Sequence, residues 1–167
     1  KEDIKTGAKA AAAGGYTTVI CMANTKPAVD TVETLQYVLE EGKKTKIHVL
    51  SAAAITEDLK GEKLTQMEAL KKAGAVGFTD DGIPLKDELL VMEAMRKSVE
   101  LNVPLSFHEE NPVFITNNGI NADIAKKEFQ IPGSPSVAED TLVARDCMMA
   151  LFTGAKIDIQ HISSKNA

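Results

Sequence analysis

Five apolar, β-branched runs recur along the chain, and helix-favouring stretches stand before and between them. The runs cover residues 17–22, 47–53, 76–80, 103–107 and 156–161. Helical stretches are predicted over residues 2–13, 30–43, 62–73, 86–101 and 137–152, with a short helix near 122–129. Strands that alternate with helices lie parallel, because each helix carries the chain back across the sheet by a right-handed crossover. The same local pattern builds open doubly wound sheets and closed (β/α)8 barrels. Two features favour the barrel. Polar chemistry stands at the carboxyl end of three different strands, where barrels keep it. No Gly-x-Gly-x-x-Gly follows the first run, since Gly14-Gly15 precede it. Five strands do not close a barrel. The expectation is an α/β fold: a partial (β/α)8 TIM barrel of about five consecutive parallel strands with outer helices. Residues 1–167 would then be an interior part of one barrel domain, missing barrel units at both ends.

Local signals refine this outline. Asp30 with Glu33 reads as a capping-box pair opening the second helix. Gly14-Gly15, Gly74 and Gly154 stop helices. Leu89, Leu90, Met92, Met95 and Val99 form the predicted apolar stripe of the helix over 86–101. A polar stretch from Asn117-Asn118-Gly119 to Pro135 interrupts the alternation. Residues 163–167 read as the opening of another helix. Cys21 and Cys147 sit inside apolar runs without Cys-x-x-Cys spacing, as small buried hydrophobes of a reduced compartment do. His48 lies mid-strand and reads as structural.

Composition removes several function classes. Hydrophobic residues make up 44% and charged residues 26% of the chain, which suits a packed core rather than a disordered segment. A net charge of −5 and the lack of a basic cluster argue against nucleic acid as a partner. No apolar run is long enough to span a bilayer, and none resembles a leader, so no membrane partner and a cytoplasmic address are expected.

The chemistry concentrates at strand ends. Val76-Gly77-Phe78-Thr79 stops abruptly in Asp80-Asp81-Gly82. The run 103–107 delivers His108, and the run 156–160 delivers His161. One carboxylate and two imidazoles at the ends of separate strands make a ligand set for zinc or a similar ion. Asp-Asp-Gly is equally a turn signature, and a single His after a strand is ordinarily a hydrogen-bonded rim residue. Repetition favours ligation, because two of the three histidines occupy the same position after different strands. Of the two aspartates, side-chain alternation selects Asp81. Phe78 and Asp80 share one face, suited to packing under helices, while Thr79 and Asp81 share the other.

Five stretches carry a family resemblance: Gly14-Gly15-Tyr16-Thr17-Thr18-Val19, Met22-Ala23-Asn24-Thr25-Lys26-Pro27, Phe78-Thr79-Asp80-Asp81-Gly82, Phe107-His108-Glu109-Glu110-Asn111 and Gln160-His161-Ile162-Ser163-Ser164-Lys165. In order, over essentially the whole chain, they resemble the bacterial long-form (type I) dihydroorotases of the amidohydrolase superfamily. The resemblance implies a metallo-dependent hydrolase barrel that interconverts N-carbamoyl-L-aspartate and (S)-dihydroorotate in pyrimidine (UMP) biosynthesis. It implies two zinc ions per full-length subunit. Asp81 matches the carboxylate bridging them, His108 and His161 match the pair holding the second, and Asn24 matches an asparagine that binds the substrate carboxylate. Related hydantoinases and allantoinases bridge their metals with a carboxylated lysine, and this strand end has none.

The chain has Met-Ala-Asn-Thr where many members have Met-Pro-Asn-Thr. The family's His-x-His-x-Arg motif would lie upstream of Lys1, and its acid/base aspartate beyond Ala167. By this reading no catalytic acid/base lies within the chain, the first metal site is incomplete here, and the chain alone is inactive. The expected partners are the small-molecule substrate, further copies in a homo-oligomer, and aspartate transcarbamoylase. The other reading is a non-catalytic dihydroorotase-like scaffold subunit of aspartate transcarbamoylase. Such subunits usually lose metal ligands, whereas Asp81, His108 and His161 are kept. A third is an unrelated α/β binding domain.

Overall fold

A computed structural model of the protein describes residues 2–116 and 119–167, so Lys1 and the Asn117-Asn118 opening of the polar stretch lie outside the described residues. The elements alternate as the pattern predicts. They are α1 (Ile4–Ala13), β1 (Thr18–Cys21), α2 (Val32–Lys43), β2 (His48–Ser51), α3 (Met67–Ala73), β3 (Phe78–Thr79), α4 (Glu88–Leu101), β4 (Leu105–Phe107), α5 (Ala122–Ile124), α6 (Val137–Thr153) and β5 (Ile157–Ile159). Short 3₁₀ turns cover Glu57–Leu59 and Pro112–Phe114, and α5 runs on into a π-turn over Ala125–Phe129.

Every pairing between these strands is parallel. β1 pairs with β2 from Thr18–His48 to Cys21–Ser51, and β3, β4 and β5 pair in that order. The ladder continues between the two groups just past β2. Ala53 bridges Phe78; its N–H donates to Gly77 O at 3.0 Å, and Thr79 N–H donates to Ala53 O at 2.9 Å. The five strands therefore stand in sequence order, with their carboxyl ends along one edge.

One face of the β3–β4–β5 sheet is apolar and lies under the helices. Phe78, Leu105 and Phe107 pack there in one core with Leu70 of α3 and Val91, Ala94 and Met95 of α4, and Ile157 and Ile159 pack against it. The opposite face is polar and carries Thr79, Ser106, Asp158 and Gln160, which hydrogen-bond to one another. Period-two alternation sorts the residues this way.

The structure departs from the sequence pattern at six places. Thr31, not Asp30, caps α2, in a reciprocal box with Thr34. Asp30 instead accepts Asp58 N–H at 2.8 Å. Both residue types cap well, and the tertiary bond decides between them. The third helix starts at Met67 rather than at 62. Residues 63–65 pair with 54–57 instead, through Glu57 N–H to Lys63 O at 2.9 Å and Thr65 N–H to Ile55 O at 2.9 Å. On α4 the buried set is Val91, Ala94, Met95 and Ser98, while Leu89 is 82% exposed. That set satisfies the i, i+3, i+4, i+7 spacing as well as the longer side chains do. Cys147 is exposed and Cys21 only half-buried, burial pushing its thiol pKa up. His48 opens β2 rather than lying within it, and is exposed. Residues 163–167 form no helix, because Ser163 and Ser164 bond to the start of α6.

Helix and sheet approach each other closely at Gly42 of α2. A Cβ there would lie 2.7 Å from Val49 Cβ and 3.0 Å from its Cγ1. Alanine normally strengthens a helix over glycine by roughly 0.8–1 kcal/mol. Here the clash with β2 outweighs that gain. Gly42→Ala should destabilise by about 1–3 kcal/mol, measured by denaturant unfolding, and a stabilised variant would contradict this packing.

Candidate metal centre

Parallel, consecutive strands bring the polar strand ends together. Asp81 follows β3, His108 follows β4, and His161 follows β5. Each offers one donor atom to a group whose members all lie within 4.8 Å of one another. His108 Nδ1 and His161 Nε2 are 2.9 Å apart, with the rings set edge-on at 79°. Asn24, in the loop after β1, reaches the same point: its Nδ2 donates to Asp81 Oδ2 at 2.7 Å. All four residues singled out in the sequence thus meet at one end of the sheet, and His48 is not part of the group.

The donors are presented by their surroundings. Glu110 Oε2 stands 3.7 Å from His108 Nε2, on the side away from the cluster. A carboxylate behind the far ring nitrogen is the usual way to orient a ligating imidazole. His161 sits at φ +35°, the left-handed region that a non-glycine residue rarely adopts. Such a conformation costs about 1–3 kcal/mol and persists only where the surroundings impose it. Contacts on both sides impose it here. Gln160 N–H donates to Phe107 O at 3.0 Å. Downstream, Glu139 of α6 accepts Ser163 N–H at 2.8 Å and Ser164 N–H at 3.2 Å, and also bonds the Ser163 hydroxyl.

Asp80 points the other way, as alternation requires. It is buried and accepts Ile55 N–H at 2.7 Å, Thr56 N–H at 3.1 Å and the Thr56 hydroxyl. Its partners lie in the loop after β2, not in its own turn, so it ties two strand ends together. Burial pushes its pKa up, against the lowering effect of the three hydrogen bonds.

The donor chemistry fits a divalent transition ion. Two imidazoles and one carboxylate converging from three strands are the mixed N/O set such ions take. A cavity of about 390 Å³ opens beside the group, lined by His108, Glu110, Asn121, Ser136, Glu139 and His161. Part of its wall comes from the polar stretch that broke the sequence pattern. Two bonds tie described residues of that stretch to its flanks: Asn121 Nδ2 donates to Ser136 Oγ at 3.0 Å, and Thr116 Oγ1 donates to Gly133 O at 2.7 Å.

Sequence reasoning missed a cluster of three ionisable residues behind the site, Glu109, Asp146 and Arg145. Glu109 is buried beside Asp146, which forms a bidentate pair with Arg145 at 2.7 and 3.0 Å. Neither Glu109 carboxyl oxygen has a hydrogen-bond partner among the described residues. Burial first, and then the Asp146 carboxylate, push the Glu109 pKa up to about 9, while Arg145 pulls it down. The available signal was alternation: His108 faces the cleft, so Glu109 must face the helices.

A family model described as dihydro-orotase-like matches residues 1–167. The chain is 62% identical over 164 residues to a dihydroorotase of Clostridioides difficile (strain 630), covering 98% of this chain and 39% of the relative. It is 56% identical to a dihydroorotase of Clostridium acetobutylicum, covering 99% of this chain and again 39% of that protein. The chain thus spans about 39% of the length of these curated relatives. The fold also resembles the solved L-hydantoinase (dihydropyrimidinase) of Arthrobacter aurescens. That TM-score is 0.73 at 19% identity, covering 96% of this chain and 37% of the other.

Glu109 yields a pH prediction. A carboxyl whose folded pKa lies above its unfolded value near 4.5 stabilises the fold in its protonated form. That contribution is fully present below about pH 4.5 and is lost as pH rises toward about 9. Glu109→Gln keeps the shape and removes the ionisation. Thermal unfolding should show the variant gaining on the wild type from pH 5 to pH 8. A gap that does not change with pH would show that Glu109 holds no proton in the fold.

Proposed function

The chain belongs to the family of dihydro-orotase-like proteins, and from that premise we propose that it is the part of a dihydroorotase carrying the second metal position of the active site. The reaction is the interconversion of N-carbamoyl-L-aspartate and (S)-dihydroorotate, with zinc as the ion, in pyrimidine biosynthesis. Residues 1–167 are read as an interior part of one barrel domain. One observation carries the proposal: Asp81, His108, His161 and Asn24 arrive from four separate strands at a single point.

Asp81, His108 and His161 would hold the metal, through a carboxylate oxygen, Nδ1 and Nε2 respectively. Zinc supplies Lewis-acid polarisation of a carbonyl and acidification of water, which closing or opening a cyclic amide requires at neutral pH. The protein's own residues do the rest. The Glu110 carboxylate, 3.7 Å from His108 Nε2, lies where a small closing movement would let it accept from that nitrogen while Nδ1 faces the cluster. One N–H of the Asn24 amide orients Asp81. The second is the group we assign to the substrate's carboxylate. The cavity beside the histidines offers room for the ring. A scaffold role without catalysis is disfavoured, because subunits of that kind lose metal donors and these three converge.

The test uses the full-length protein that contains this chain. The wild type should copurify with zinc and turn over dihydroorotate. Asp81→Ala should lose most zinc and activity, and Asp80→Asn should keep its zinc. Asn24→Ala should lower kcat/KM about tenfold or more, the value of one hydrogen bond to a charged group. A zinc-loaded, inactive wild type would remove the enzymatic reading. Zinc lost by Asp80→Asn and kept by Asp81→Ala would reverse the ligand assignment.

A further inference from the structure

On the polar face of the sheet, directly below the metal centre, four side chains form one hydrogen-bonded row across three strands. Gln160 Nε2 donates to Thr79 Oγ1 at 3.2 Å and to Ser106 Oγ at 3.0 Å. Ser106 Oγ in turn donates to Asp158 Oδ2 at 2.7 Å. Among the described residues the backbone ladder joins β5 only to β4. The Gln160 side chain reaches past β4 to β3, the strand that delivers Asp81. It is also the residue immediately before His161, whose backbone is held at φ +35°.

The direction of each bond in the row is fixed by chemistry. The Asp158 carboxylate only accepts, so the Ser106 hydroxyl proton must point to it. The Ser106 oxygen is then left as an acceptor, and the amide N–H of Gln160 is the protein donor that meets it. The amide nitrogen of Gln160 has two N–H groups and serves both hydroxyls at once. A carboxylate at that position could still accept from the Thr79 hydroxyl, but it would find the Ser106 proton already committed to Asp158, so the link to β4 would be lost.

We propose that Gln160 is a positioning residue, which sets His161 against Asp81 by tying the end of β5 to β4 and β3. This rests on the metal reading given above. The claim concerns geometry: without the tie, the left-handed turn at His161 relaxes and its Nε2 leaves the point where the other donors converge.

The experiment measures zinc affinity by calorimetry on the metal-stripped full-length protein, with thermal unfolding of each variant alongside. Gln160→Glu should weaken zinc binding about tenfold or more, the usual effect of losing a group that supports a ligand, while the unfolding midpoint changes little. Adding Asp158→Asn to it reverses the row, placing the donor at 158 and the acceptor at 160, with the Ser106 hydroxyl turned round. That double variant should recover most of the lost affinity. Ser106→Ala, a smaller change, should weaken zinc binding severalfold. Zinc affinity equal to wild type in Gln160→Glu or in Ser106→Ala would overturn the proposal. So would a Gln160→Glu defect that Asp158→Asn does not relieve. A wild type that binds no zinc would instead defeat the metal reading, and this proposal with it.

Discussion

Parallel strand register is the constraint on which the site depends. Each parallel strand runs the same way, so every carboxyl end falls on one edge of the sheet. The register from Phe78–Leu105 through Leu105–Ile157 levels those ends to within a few residues. Asp81, His108 and His161 are three residues far apart in the chain, but the ladder leaves them within 4.8 Å. Asn24 joins them from β1 because the Ala53–Phe78 bridge carries the ladder past β2. No local sequence motif could assemble this group.

Convergence has a cost, met by hydrogen bonds at Asp80 and His161 and, among the described residues, left unmet at Glu109. Asp80 is buried so that Asp81 can face the cleft, and three hydrogen bonds from the neighbouring loop satisfy it. Glu109 is buried so that His108 can face the cleft, and it lies under the strain of the adjacent Asp146 carboxylate. His161 occupies the left-handed region, held by Gln160 on one side and by Glu139 through Ser163 and Ser164 on the other. Each donor thus has a buried or strained neighbour, the pattern expected where function competes with stability.

The alternation of strands and helices, and the strand ends that bring Asp81, His108 and His161 together, were legible in the sequence. Period-two runs broken by helical stretches define the strands, and residue type at their ends marks Asp81, His108 and His161. What stayed illegible depends on tertiary contacts. Thr31 wins the α2 cap because Asp30 bonds Asp58, a partner in a distant loop. Residues 62–66 look helical, but 63–65 pair with 54–57. The α4 stripe was misplaced because large side chains drew attention from Val91, Ala94 and Ser98 at the same spacing. Glu109 and Gln160 stand inside motifs but carry no legible role of their own, because nothing local marks their partners, Asp146, Thr79 and Ser106, as neighbours.

Convergence of the three donors predicts a metal lying between the three strand ends. Anomalous diffraction at the zinc edge from crystals of the full-length protein tests this most directly. A peak about 2.0–2.2 Å from an Asp81 oxygen, His108 Nδ1 and His161 Nε2 is the predicted result. A zinc peak elsewhere, with the two imidazoles still hydrogen-bonded to each other, would contradict it.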